Sequence, residues 1–199
     1  MYHGALSMRL TVRQSDPMYS DADYVAGIQR GDETMFAALV HAYIRQLTQF
    51  AFGYTGEEDA AHDIVQDVFA RVWLLGRDWN PTKGVTPYLF GAVRHRAYDV
   101  IRANRARERM QHVVRLDQDA TLDDRDPYAD PMLVAVVRRE LHALTQRQQD
   151  ALQLRYEQGH TLTQTAEILG IDVSAVKKLI ARGITTLRVR LAEFQRRSQ

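Results

Sequence analysis

Residues 161–187 read TLTQTAEILGIDVSAVKKLIARGITTL, and this pattern predicts two helices joined by a tight turn. Thr161 and Gln164 have the spacing of a capping box, which starts the first helix. Gly170 supplies the left-handed backbone that ends that helix. Asp172 or Ser174 can then cap the second helix, since a short polar side chain accepts hydrogen bonds from the first free amides.

Small and apolar residues stand where the two helices would cross. Ala166 provides the small side chain at the crossing, and the apolar contacts come from Leu169, Ile171, Val176 and Leu179. Lys177, Lys178 and Arg182 stay on the outer side of the second helix. These offsets are typical of a DNA-binding helix-turn-helix, whose second helix enters the major groove. The alternative is an ordinary helical hairpin with a solvated lysine face.

Composition limits what the rest of the chain can be. Its 199 residues suffice for one large domain or two small ones, and 45% of them are apolar. The absence of cysteine excludes disulfides and thiolate metal sites. We find no apolar run of membrane-spanning length and no signal-peptide pattern, so we expect a soluble, cytoplasmic protein.

The formal net charge is only +1, but the charges are strongly segregated. Residues 85–115 carry seven arginines against two acidic residues, and residues 174–199 carry seven basic residues against one glutamate. Residues 116–131 carry six aspartates against one arginine, and residues 56–67 carry five acidic residues and no lysine or arginine. Two basic helical stretches separated by an acidic spacer indicate two contacts with one polyanion. The alternative interpretation is that each charged segment is simply a solvent-exposed helix face or loop.

Apolar periodicity predicts helices throughout and no strand. The predicted elements are a short helix from Ser20 to Gly31, a helix over 33–54 capped by Asp32, a helix from Glu57 to about Leu75, a loop over 77–84, a helix over about 86–109 with Thr86 as N-cap and Pro87 as its first residue, a helix over 132–144, and a helix from the Thr145–Gln148 capping box to about Glu157. The fold class is therefore all-α, with two small helical domains joined by a linker.

The predicted division has four parts. Residues 1–19 form a flexible tail, 20–115 the first helical domain, 116–131 an acidic linker, and 132–199 the helix-turn-helix domain. In the first domain, Trp79, Tyr88 and Phe90 accompany the arginine-rich helix. Aromatic faces on which bases can stack, next to phosphate-neutralising arginines, favour single-stranded DNA binding. Burial of Tyr88 and Phe90 in the core is the competing interpretation.

Three motifs in order resemble a known family. DAAHDIVQDVFARVW, VTPYLFGAVRHRAYDVIRANR and the terminal helix-turn-helix are similar to those of a bacterial RNA polymerase sigma factor of the extracytoplasmic-function group, within the sigma-70 family. The resemblance covers about residues 20–192. It implies a non-enzymatic factor without cofactors. Its partners would be core RNA polymerase, promoter DNA and, from the family alone, an anti-sigma protein.

The resemblance also implies roles for individual residues. The helix that docks on the polymerase clamp would present Asp63, Gln66, Asp67, Phe69 and Trp73. Minus-ten DNA would be bound by Trp79, Tyr88, Arg94, His95, Arg96, Asp99 and Arg102, with the loop 76–84 helping to capture a flipped base. Minus-thirty-five DNA would be bound by Asp172, Ser174, Lys177, Lys178 and Arg182. The acidic linker would thread toward the polymerase active centre.

The sequence departs from the family at three of these places. Tyr88 stands where tryptophan is common, His95 where asparagine is common, and Leu179 where an arginine is frequent. We therefore expect an altered minus-ten preference and fewer minus-thirty-five contacts. Gly183 inside the second helix costs about 1 kcal/mol relative to alanine, for which close packing is the one explanation available.

Two other functions are compatible with part of the sequence. His41, His62-Asp63 and Asp99 occur in the order used by metal-dependent HD phosphohydrolases, but His62 and Asp63 are adjacent on a helix and point about 100° apart. A stand-alone helix-turn-helix regulator would explain the C-terminal domain. It would leave the acidic ridge and the aromatic-basic helix without a role.

Overall fold

The computed structural model describes residues 19–111, 139–141 and 143–197. The longer helices are α1 (Asp21–Gln29), α2 (Glu33–Thr55), α3 (Glu58–Leu75), α4 (Val85–Gln111), α5 (Gln146–Leu152), α6 (Leu162–Leu169) and α7 (Val173–Arg197). A 3-10 turn, Gly76–Asp78, follows α3, and a π-helical turn, Gln153–Glu157, follows α5. Within these ranges every regular element is helical, which confirms the all-α prediction.

Helices α1 to α4 form the N-terminal domain around α2. The apolar stripe of α2 is buried, with Leu39, Leu47 and Phe50 fully enclosed, and it packs against α1, α3 and α4. The predicted helix starts at Ser20 and Asp32 are confirmed. Ser20 and Asp23 form a capping box, and the Asp32 carboxylate accepts hydrogen bonds from the next free amides.

Helix α4 begins two residues earlier than predicted and is capped differently. Val85 is its first residue, and the Val85 amide donates a 2.8 Å hydrogen bond to the carboxylate of Asp21, 64 positions away on α1. Thr86 is not the N-cap, because its hydroxyl lies inside the first turn, 2.9 Å from the hydroxyl of Tyr43. A side chain from another helix therefore sets the start of α4.

The C-terminal domain contains the predicted helix-turn-helix. Thr145 with Gln148 and Thr161 with Gln164 both form capping boxes. Gly170 ends α6 in the left-handed conformation, with φ of 66°. The second helix starts at Val173, directly after Asp172.

Three predicted segments lie wholly or largely outside the described residues. The acidic linker 116–131 lies outside the described residues, as do 1–18 of the predicted tail and most of the predicted helix 132–144. Among the described helices none is long and apolar enough to span a membrane.

The two domains are in direct contact, an arrangement that the sequence left open. Helix α4 packs against α6, and α2 touches the π-helical turn. Buried residues of both domains, from Tyr24 to Ile180, belong to one continuous apolar cluster. This contact determines which side chains of α4 remain accessible.

Candidate nucleic-acid and protein interfaces

Helix α3 presents a polar ridge, formed by Asp63, Gln66 and Asp67. All three side chains are exposed, because they lie opposite the buried face that carries Ile64, Val65 and Val68. These residues recur at three- and four-residue steps, which places them on one side of the helix. The ridge, hereafter the α3 ridge, offers acidic and amide groups to a basic partner.

The two aromatic residues predicted for this surface differ in exposure. Phe69 is only 5% exposed and contacts Phe36 edge to face, so it supports the α3 ridge from beneath and does not present a free face. Trp73 is half-buried, with its ring centroid 4.8 Å from that of Phe36. Leu74 beside it is 84% exposed. The accessible apolar surface at this end of α3 therefore comes from Trp73 and Leu74, of which the sequence analysis named only Trp73.

An ion pair joins the α3 ridge to α4. The Asp67 carboxylate accepts hydrogen bonds from Arg96, with Oδ2 2.9 Å from Nε and 2.6 Å from Nη2. Both side chains are about half exposed, so the pair contributes no more than about 1 kcal/mol to stability. A residue predicted to bind polymerase and one predicted to bind DNA are thus paired with each other.

Among the described side chains of α4, four residues form an accessible stripe. Successive helical residues are about 100° apart, which puts Tyr88, His95, Asp99 and Arg102 within about 60° of one another. His95, Asp99 and Arg102 are exposed, and Tyr88 is partly exposed. We call these four residues the open stripe. It combines an aromatic ring, a histidine and an arginine on one line along the helix.

A second face of α4 is covered by the C-terminal domain. Phe90, Arg94 and Tyr98 follow one another at four-residue steps, on a face about 110° away from the open stripe. Phe90 is fully buried, its ring meeting that of His160 edge to face with centroids 4.7 Å apart. The Arg94 side chain is 15% exposed. We call these three residues the covered edge.

Trp79 contradicts the expectation of a free aromatic face. Its side chain has no exposed surface, and its ring meets that of Tyr88 edge to face at 5.8 Å. The Gln29 side chain donates a 3.0 Å hydrogen bond to the Trp79 carbonyl, which ties the loop to α1. Trp79 and Phe90 therefore belong to the core, and the face that remains for a base is that of Tyr88.

The second helix of the helix-turn-helix is accessible along its predicted face. Asp172, Ser174, Lys177, Lys178 and Arg182 are all exposed. Ala166 and Val176, at the helix crossing, are buried. Leu179 is partly buried against the core, so it makes an apolar contact at a position where an arginine would need solvent or DNA.

Gly183 has a packing reason. A β-carbon at this position would lie 2.9 Å from Cδ1 of Leu152, so glycine allows α5 to approach α7 closely. The loss of helix propensity is offset by this contact between helices.

The described residues contain no group of three or more histidine, aspartate or glutamate side chains that could hold a metal ion. His41, His62, Asp63 and Asp99 are all among them, so they do not converge in the way that an HD phosphohydrolase requires.

The sequence analysis overlooked a buried acidic residue between the domains. Asp150 is 1% exposed and bonds to Tyr54 and Tyr98. Its position contained a signal, because Asp150 lies four residues before the buried Leu154 and next to the buried Ala151. A charged residue on the apolar face of a helix needs a partner.

Comparison with known proteins agrees with this architecture. The family model for Sigma-70 region 2 matches residues 39–107, and that for Sigma-70, region 4 matches residues 141–189. These two matches fall on the N-terminal and the C-terminal domain, and together they cover more than half of the chain.

Curated relatives carry sigma-factor names. The probable RNA polymerase sigma factor RfaY of Xanthomonas campestris is 26% identical over 82% of this chain, which spans only 42% of that relative's length. The ECF RNA polymerase sigma factor SigX of Bacillus subtilis is 29% identical, and the match covers 78% of this chain and 83% of the length of SigX.

A solved structure shares the fold. CnrH, in complex with the cytosolic domain of CnrY, superposes with a TM-score of 0.65 at 22% identity, over 87% of this chain and 97% of CnrH. With both family regions matched in order on the two helical domains, the chain belongs to the sigma-70 family and is a promoter-directing sigma factor of the extracytoplasmic-function group.

Proposed function

We propose that this sigma factor divides its work among three surfaces. The α3 ridge, with Trp73, docks on core RNA polymerase. The open stripe of α4, with Arg94 and Arg96, binds minus-ten DNA. The second helix of the helix-turn-helix binds minus-thirty-five DNA. The observation that carries the proposal is exposure: of the polar residues assigned to these surfaces, all except Arg94 are exposed.

Docking on polymerase fits the chemistry of the α3 ridge. Its carboxylates steer a basic helical partner, and the half-buried Trp73 together with the exposed Leu74 supplies apolar surface that a partner can bury. Because Asp67 already pairs with Arg96, a basic partner that takes Asp67 would free Arg96 for DNA.

The open stripe fits a strand whose bases are unpaired. Tyr88 offers a partly exposed ring at the start of α4, supported from behind by the buried Trp79. Arg102 lies about four turns further along, where it can neutralise a phosphate. His95 and Asp99 between them offer hydrogen-bonding groups to base edges.

The helix-turn-helix fits duplex DNA. Lys177, Lys178 and Arg182 place three positive charges on one exposed face of α7, and Ser174 adds a hydroxyl at its start. Such residues bind phosphates and base edges when a helix enters the major groove.

Three further assignments rest on the family. Transcription places the protein in the cytoplasm. An anti-sigma protein is a further partner, as NepR is for the sigma factor RpoE of Bartonella quintana. The chain acts without enzymatic activity of its own.

The test is reconstitution with core polymerase. Asp63→Arg reverses a charge on the α3 ridge, and we expect it to weaken binding to core about tenfold or more. Transcription from promoter templates should fall in parallel. Glu193→Arg is the matched control, since it makes the same charge change at an exposed position on α7. Equal core affinity in the two variants would contradict the docking assignment.

Footprinting separates this function from that of a stand-alone regulator. Promoter protection that requires core polymerase supports the proposal. Equally strong and specific protection by the chain alone would favour the regulator.

A further inference from the structure

The contact between the domains is centred on the carboxylate of Asp150. Its Oδ1 accepts hydrogen bonds from the hydroxyl of Tyr54 at 2.8 Å and from that of Tyr98 at 2.7 Å. The Tyr98 hydroxyl also lies 2.5 Å from Oδ2, and Nη1 of Arg94 lies 3.8 Å from the same oxygen. Three groups of the N-terminal domain therefore hold one side chain of the C-terminal domain. We call these four residues the latch.

The surrounding contacts are closely fitted. The side-chain amide of Gln153 donates a 2.9 Å hydrogen bond to the carbonyl of Phe50. A β-carbon at Gly53 would overlap Nε2 of Gln153, so the glycine makes room for this side chain. Phe90 packs against His160 on the other side. Hydrogen bonds, shape and apolar contact all join the same two surfaces.

The buried polar groups of the latch compensate one another electrostatically. Burial raises the pKa of Asp150 above its usual value, and burial beside Asp150 raises the pKa values of Tyr54 and Tyr98. A buried carboxylate is tolerated because the hydroxyls and the guanidinium compensate it. Removing one partner leaves the others buried without compensation, which favours separation of the domains, since separation returns them to water.

Latching removes Arg94 from the DNA-binding set. Its guanidinium faces Asp150. The C-terminal domain also covers α4 at Gly91, where an added β-carbon would lie 4.0 Å from the carbonyl oxygen of Ile168. The C-terminal domain therefore stands beside the open stripe and obstructs a strand that approaches α4 from that side.

The latched arrangement is also too short for a promoter. The minus-ten and minus-thirty-five elements are about 25 base pairs apart, which corresponds to about 85 Å at about 3.4 Å per pair. Two packed domains with about 150 described residues form a body about 40 Å across. One chain can therefore reach both elements only after its domains separate.

We propose that the latch is an autoinhibitory device, in which Asp150 holds the free sigma factor in a form that cannot span a promoter. This inference rests on the proposed function of the two DNA-binding surfaces. Opening exposes Arg94, Tyr54 and Tyr98 as an anion site on α2 and α4, and a DNA phosphate then takes the place of the Asp150 carboxylate.

The distance between the domains tests the latch without DNA or polymerase. The chain has no cysteine, so Ala37→Cys on α2 and Ala181→Cys on α7, both exposed, give unique spin-label positions in the full chain. Pulsed dipolar spectroscopy should give one short, narrow distance for the parent. Asp150→Ala should raise the ratio of open to latched molecules about tenfold or more. Asp59→Ala, which removes an exposed acid, should leave the distance unchanged.

Tyr98→Phe provides a second variant if Asp150→Ala does not fold. It removes one hydroxyl, retains the ring, and should shift the distance in the same direction. Circular dichroism confirms that each variant keeps its helices. An unchanged distance distribution in folded Asp150→Ala and in Tyr98→Phe would overturn the latch.

DNA binding by the free, unlabelled chain tests the inhibition. If only the open form binds well, affinity for a random duplex should rise with the open fraction in Asp150→Ala. Adding Arg94→Ala to that variant should remove part of the gain. Opening without any gain in DNA affinity would refute autoinhibition. Failure of the chain to start transcription with core would refute the proposed function and leave the distance result intact.

Discussion

Two faces of α4 both combine aromatic and basic residues, but they lie in different environments. The covered edge and the open stripe each contain an aromatic residue and an arginine, at positions about 110° apart on one helix. The C-terminal domain buries the first, whereas the second remains accessible. Aromatic and basic residues along a helix therefore do not identify a DNA-binding face until the neighbouring domain is placed.

The largest expected difference between the faces is in stability. Phe90 packs between Phe50 and His160, and Phe90→Ala should lower the free energy of unfolding by about 3–5 kcal/mol through the lost contacts and the cavity. His95→Ala, on the open stripe, should change it by no more than about 0.5 kcal/mol. Urea unfolding of both variants measures the contrast. Similar losses in the two variants would mean that the faces are not distinct.

Acid should destabilise the packing at the covered edge, where Phe90 contacts His160. Burial lowers the pKa of His160 from 6.5 to about 4, and neither ring nitrogen has a hydrogen-bond partner among the described residues. Between pH 6.5 and about 4 the unfolded chain therefore binds a proton that the folded chain does not, so stability falls as the pH falls. The full effect is about 3 kcal/mol.

His160→Leu isolates this effect. It removes the titrating group and, since the imidazole makes no hydrogen bond in the described part of the chain, should retain stability at pH 7. The two stability curves should diverge toward pH 4, with the variant becoming the more stable protein, because only the parent loses stability as His160 becomes protonated on unfolding. Asp150, whose raised pKa acts in the opposite sense, is present in both proteins and cancels. Parallel curves would place His160 in a more solvated site than the structure describes.

The smallest expected difference is in salt dependence. For the free chain on duplex DNA, Arg102→Ala should reduce the slope of log affinity against log salt by about 0.9, as loss of one phosphate contact does. Arg94 belongs to the latch, so Arg94→Ala is made in the Asp150→Ala chain, where the latch is already open, and there it should also reduce the slope by about 0.9. Fluorescence anisotropy at salt concentrations from about 50 to 200 mM measures both slopes. Over this range, one phosphate contact changes the affinity about threefold. An unchanged slope on adding Arg94→Ala to Asp150→Ala would break the comparison, because Arg94 would then contact no phosphate in the open chain.

Most helix starts were predictable because their determinants are local. The capping boxes at Ser20, Thr145 and Thr161 each use a residue three positions away, so a short window of sequence contains the whole interaction. The left-handed turn at Gly170 is local in the same sense. The position of the helix-turn-helix and its exposed face followed from these signals.

The candidate interfaces were only partly predictable. The exposure of the α3 ridge and of Lys177, Lys178 and Arg182 follows from helical periodicity. The burial of Trp79 and Phe90 does not, because their spacing fits a core and a stacking surface equally well. Their environment depends on α1, α2 and the C-terminal domain, which are distant in sequence.

The amino-acid order alone determined the helices, most of their caps, the segregation of charge and the family's two regions, because each of these depends on residues within a few turns of one another. Only the tertiary structure decided where α4 begins, since its cap, Asp21, is 64 positions away. It likewise decided that Arg94 faces Asp150 and not solvent, 56 positions along the chain. Such pairings arise when helices pack, and no local pattern specifies which partner a buried charge will meet.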